Sequence, residues 1–116
     1  HHDLNSPATI ELNDGDKWMV NAEMKPFLTE SENILNTLIS NGSTNFKTLA
    51  KLLTDKNNQL IKSCTMKGKS HDELHKWLHP HLELVEALEK SANENEAKGI
   101  VLKLQKSNEV YHQYFE

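Results

Sequence analysis

The chain of 116 residues and 13.3 kDa is sized for one domain around one core, which excludes a multidomain enzyme. Hydrophobic residues make up 36% and charged residues 26%, a balance suited to a water-soluble bundle whose helices each bury a narrow stripe, and no stretch is long and apolar enough to span a bilayer. All 13 basic residues are Lys and the formal net charge is -4, so the fork-shaped Arg donors that read phosphates and base edges are missing and nucleic acid is not an expected partner.

The first 20 residues carry Pro7, the turn-like run Asn13-Asp14-Gly15-Asp16 and two short β-leaning pieces, Thr9–Leu12 and Lys17–Val20. They read as an extended N-terminal arm (1–20), pinned to the body (21–116) by Trp18 and Met19, with a small hairpin around Asp14-Gly15 as the alternative. His1 and His2 read as tag remnants. The chain starts without Met and without a signal-like apolar segment, so an export signal, if one existed, has been removed or left out.

Helical periodicity then takes over. Met24, Phe27, Ser31, Ile34, Leu35 and Leu38 share one face of a helix over 22–40, with Pro26 tolerated near its first turn. Asn41-Gly42 ends it, and Ser43 or Thr44 is the expected cap of a second helix over 44–64, whose stripe is Phe46, Leu49, Leu53, Leu60 and Cys64. Gly68 breaks that helix. Ser70 with Glu73 forms the pattern of a capping box, so a third helix is expected over 71–92, with His71, Leu74, Leu78, Leu82, Val85 and Leu88 facing inward and Pro80 bending it. Asn93 with Glu96 opens a fourth over 95–115, whose expected buried face is Ala97, Ile100, Val101, Leu104, Tyr111, His112 and Phe115. Four such helices on short loops predict an all-α, antiparallel up-down-up-down four-helix bundle.

That topology gathers the start of helix one, the end of helix two, the start of helix three and the end of helix four at one end. Met24, Cys64, Met66, His71, His75, Tyr111 and His112 all fall there, while the opposite end holds only amides, hydroxyls and carboxylates. His71 and His75 lie four residues apart, so their rings project from one face about a turn apart and can share a metal, with His79 continuing the series. Cys64 and Met66 would add sulfur ligands across the turn, a set suited to Cu(I), or to Zn(II) if the thioether stays out. The plainer reading makes the histidines flank a helix start, Cys64 a small core residue and Met66 a gap filler. As the chain's single cysteine, Cys64 excludes an internal disulfide and paired Cys-x-x-Cys zinc sites. Met24 and His112 could instead oppose each other across the core, the ligand pair of a six-coordinate haem iron.

The closing helix, Leu104-Gln105-Lys106-Ser107-Asn108-Glu109-Val110-Tyr111-His112-Gln113-Tyr114, resembles that of the cytochrome b562 family, with weaker likeness through Glu86-Ala87-Leu88 and Ala92-Asn93-Glu94. By that resemblance the protein would be a periplasmic or otherwise exported bundle binding haem b noncovalently. His112 would be the axial His and Met24 the axial Met, with Met19 a second candidate. The region from Cys64 to His75 also resembles small exported bacterial proteins. The expectation is therefore a haem- or Cu/Zn-binding bundle for electron transfer or metal handling, served by an unidentified redox or metal-donor protein. The rival is a cofactor-free bundle acting as a partner-binding or sensory module. Catalysis is not expected: Tyr111–His112 or Cys64–His71 could be drawn as reactive pairs, but no orienting third group or oxyanion donor accompanies them.

Overall fold

A computed structural model describes residues 10–116. The tag reading of His1 and His2, Pro7, and the first residue of the Thr9–Leu12 piece lie outside the described residues. Within them the protein is all-helical, with α1 over Lys25–Asn41, α2 over Phe46–Lys62, α3 over Gly68–Glu89 and α4 over Glu94–Tyr114. Each helix packs against the next in sequence, and α1 also touches α4, which makes a compact helical bundle.

The boundaries follow local chemistry, with two departures from expectation. Pro26 lies in the first turn of α1, where its missing N–H removes no helical bond. The helix ends where Gly42 takes φ 63°, a left-handed conformation a side chain would oppose; the Gly42 amide bonds the Ile39 carbonyl at 3.1 Å and the Ser43 amide bonds Leu38 at 3.1 Å. Asn45, not Ser43 or Thr44, is the N-cap of α2, and the Ser43 hydroxyl accepts from the Asn45 amide instead. The Ser70–Glu73 capping box does not form either. α3 begins at Gly68, three residues earlier than expected, so Ser70 already lies inside the first turn and its Oγ donates to the Lys67 carbonyl. Glu73 turns away and accepts from the Glu11 amide at 2.8 Å and from the Lys76 ammonium at 2.9 Å. Only the fourth cap matches: Asn93 Oδ1 accepts from the Glu96 amide at 2.9 Å. α3 runs through Pro80 unbroken.

The core divides in two. One cluster joins Leu35, Phe46, Leu49, Ala50, Leu53, Val85, Leu88, Ala97, Val101 and Leu104. The other joins Trp18, Val20, Met24, Leu60, Leu74, Trp77, Leu78, Tyr111 and Phe115. The second cluster depends on chain outside the helices. Trp18 donates its amide to Tyr114 and accepts from the Glu116 amide, both at 2.9 Å, while the Val20 amide bonds Glu116 at 2.9 Å. These bonds tie the segment before α1 to the end of α4. Ahead of Trp18, Asn13 and Asp16 bond each other across a two-residue turn in which Asp14 and Gly15 both have positive φ (52° and 91°), the turn preferred between twisted extended segments. Trp18 is buried and its Nε1 donates to the Glu11 carbonyl, but Met19, expected to pin the segment beside it, is 63% exposed.

Candidate functional site

On α3, His71, His75 and His79 stand on successive turns of one face. The His71 and His75 rings lie 4.2 Å apart between centroids, and the His75 and His79 rings 5.2 Å apart. His75 Nδ1 and His79 Nε2 approach to 3.3 Å. Desolvation, followed by the neighbouring rings of His71 and His79, pushes the His75 pKa down, with Asp72 opposing only in part. A neutral imidazole keeps the lone pair that a metal requires. His71 Nδ1 is 3.9 Å from Asp72 Oδ1. His71 and His75 are half-buried and His79 is exposed, so this face opens to solvent rather than to the core.

The sulfur ligands are placed differently. Cys64 and Met66 lie in the connection between α2 and α3, both partly buried and packed against the aromatic core cluster. Among the described residues, no group of three or more His, Cys, Asp and Glu is arranged to hold a metal ion, so Cys64 does not complete a closed set with the histidines.

The Met24–His112 pair does not fit a haem. Met24 is fully buried, in the core cluster that also holds Trp18, Leu60, Leu74, Trp77, Tyr111 and Phe115, whereas His112 is not part of that cluster. His112, expected on the buried face, is exposed: Leu104, Tyr111 and Phe115 follow the 3.6-residue period inward, and a residue one step past Tyr111 is turned about 100° away. Its Nε2 instead faces both oxygens of Glu32, at 3.0 and 3.1 Å. The cleft beside it, lined by Lys25, Glu32, Tyr111 and His112 among others, holds about 190 Å³, below the ~300–1,000 Å³ usual for ligand pockets. Burial, reinforced by the Glu32 charge, raises the Tyr111 hydroxyl to about 12.

Sequence reasoning missed the polar residues that the core takes in. His81 is buried, stacked on Trp77 at 4.6 Å between centroids, with its Nδ1 2.8 Å from Ser107 Oγ. Desolvation lowers its pKa to about 4, so it is a neutral structural histidine. The spacing of Trp77 and His81, four residues apart, was the available signal. Burial alone would raise the Glu73 carboxyl, but the Glu11 amide and the Lys76 ammonium outweigh it and hold Glu73 below its ordinary range. Glu32 of α1 is the partner of His112.

Compared with known proteins, the chain matches no family model, no curated protein and no solved structure, so nothing ties it to the cytochrome b562 family.

Proposed function

We propose that the protein is a transition-metal-handling helical bundle whose ion, Zn(II) or a copper ion, is held on the outer face of α3 by His75 and His79, with His71 alongside. One observation carries this reading. Two imidazole nitrogens bound to one tetrahedral zinc, each about 2.0–2.1 Å from it, stand roughly 3.3–3.4 Å apart. His75 Nδ1 and His79 Nε2 are already 3.3 Å apart. An ion seated to one side of the line between them, about 2.0–2.1 Å from each nitrogen, would therefore need the two rings to turn toward it but not to move closer together or farther apart. A helix supplies this geometry cheaply, because residues four apart are neighbours on its surface. With two protein nitrogens and the remaining positions open to water, such a site suits an ion that is received and passed on more than one locked in place.

Antiparallel helices and an N-terminal arm belong to the same reading. Lys56 of α2 meets Glu30 of α1 at 2.7 Å, Lys47 of α2 reaches the Glu89 carbonyl at the end of α3, and Trp77 of α3 donates to the Ser107 carbonyl of α4 at 2.8 Å. These pairings support helices that reverse direction at each loop.

The test is a Zn(II) and Cu(II) titration against a competing chelator, using a chain that lacks His1 and His2. Saturable binding in this chain, lost in His75→Ala/His79→Ala and kept in Cys64→Ser, is the expected result. Binding that survives the double replacement, or no binding in the parent chain, overturns the proposal. Circular dichroism of the double variant should match the parent, since both side chains lie on the outer face of α3.

A further inference from the structure

On the other side of α3 a groove of about 400 Å³ runs between this helix and α4. Its floor is apolar: Trp77, Pro80 and Leu84 come from α3, and Val110 and Tyr114 from α4. The rim is basic. Lys76, Lys103 and Lys106 line the groove and no Asp or Glu does, although the whole chain carries 17 acidic residues against 13 basic ones. Lys76 is engaged by Glu73 at 2.9 Å. Lys106 lies 3.6 Å from Glu109, with both side chains more than two-thirds or nearly two-thirds exposed, and Lys103 is in no ion pair among the described residues. On α4, Lys103, Ser107, Val110 and Tyr114 follow helical spacing along one stripe, about 16 Å from end to end. With Lys76 and Lys106 each beside a carboxylate, Lys103 supplies the rim's unbalanced positive charge, and the exposed Lys106 ammonium can exchange Glu109 for a bound anion.

We infer that this groove binds a single-chain anionic amphiphile, with the acid headgroup between Lys103 and Lys106 and the hydrocarbon tail along Leu84, Pro80, Trp77 and Val110. Two features select this ligand class. A linear tail needs no hydrogen bonds, and the groove floor offers few beyond the Ser107 and Gln113 side chains. A carboxylate or sulfate at the rim gains from lysines that remain hydrated, so neither charge is buried unpaired. Concave, largely apolar sites with a few placed polar groups are the common form of small-molecule pockets, and this volume falls within their range of roughly 300–1,000 Å³. The site is independent of the histidine face, which lies elsewhere on α3.

Laurate, kept below its critical micelle concentration, is the probe. Calorimetry should show saturable binding, and in a Trp18→Phe chain, where Trp77 is the remaining tryptophan, the fluorescence should shift along the same isotherm. Lys103→Gln/Lys106→Gln changes only surface groups and should weaken laurate about tenfold, as expected for two solvent-edge charge pairs acting together. Leu84→Asp, checked by circular dichroism, should abolish binding. Dodecyltrimethylammonium, with the same tail and opposite charge, should not bind. Laurate binding that is unchanged by both variants, equal affinity for the cationic amphiphile, or association with anionic vesicles but not with monomeric laurate would each overturn the assignment.

Discussion

The two halves of the core are built from different materials. The half closed by the α1–α2 and α3–α4 loops is aliphatic but for Phe46, and every member of its cluster comes from a helix. The half at the chain ends holds two tryptophans, a tyrosine and a phenylalanine, and borrows Trp18, Val20, Met24 and Phe115 from outside the helices. Trp77, Tyr111 and Phe115 form a chain of ring contacts at 5.1 and 5.5 Å. The half at the chain ends also takes in buried polar groups, His81 and Glu73, each with hydrogen-bond partners. Aliphatic burial is satisfied by shape alone, whereas aromatic and polar burial needs partners placed by other segments. Chemistry therefore collects in the half that the termini assemble.

The largest effect should come from breaking that assembly. Phe115→Ala removes a fully buried ring from the segment that bonds Trp18, and a loss of about 3–5 kcal/mol in urea unfolding is expected. Leu104→Ala in the aliphatic half should cost about 2–5 kcal/mol. If the halves form one cooperative unit, tryptophan fluorescence and circular dichroism report the same midpoint for both variants. Separate midpoints for Phe115→Ala would show that the terminal half melts by itself.

Acid should distinguish the halves next. Folded His81 stays neutral to about pH 4, but in the unfolded chain it takes up a proton near 6.5. Between those values the unfolded state binds more protons, so stability is full above 6.5, falls as the pH drops and levels off below about 4. The His81 contribution to that loss is on the order of 3 kcal/mol. In metal-free protein, a His81→Gln chain should lack this component. A parent and a variant with parallel stability-versus-pH curves would remove His81 as its source.

Smaller effects sharpen the contrast. Asn93→Ala removes the one side-chain cap that forms, and should cost about 1 kcal/mol by thermal melting, with no change in metal or laurate binding. His112→Ala breaks a largely exposed contact with Glu32 and should change stability by less than about 1 kcal/mol. Added hemin should give the same spectrum with the parent and with His112→Ala, because the imidazole points away from Met24's pocket.

The loop-end half was legible in the sequence residue by residue. Leu49, Leu53, Val85, Leu88, Ala97, Val101 and Leu104 all fall on the expected stripes, because a helix that packs against a flat neighbour on one side leaves a strict three- and four-residue trace. At the other end the same pattern misplaced His112 by one position, about 100° of rotation, which is enough to move a side chain from core to solvent. Capping patterns were also ambiguous: Ser70 and Asn93 each precede a Glu by three residues, yet only Asn93 caps, because Gly68 let α3 start a turn early.

Local periodicity alone determined that this chain makes four amphipathic helices and which aliphatic residues they bury, since those choices depend on neighbours within a turn or two. The histidine series on α3 was equally local, and the sequence placed His71 and His75, with His79 after them, on one face. Only the tertiary structure decided that Cys64 packs against the aromatic core cluster, that His112 pairs with Glu32, and that three lysines edge the groove between α3 and α4. Each of these depends on how one helix is rotated and positioned against another. That rotation is set by the packing of rings such as Trp77, Tyr111 and Phe115, contributed by residues far apart in the chain, and no window of local sequence contains it.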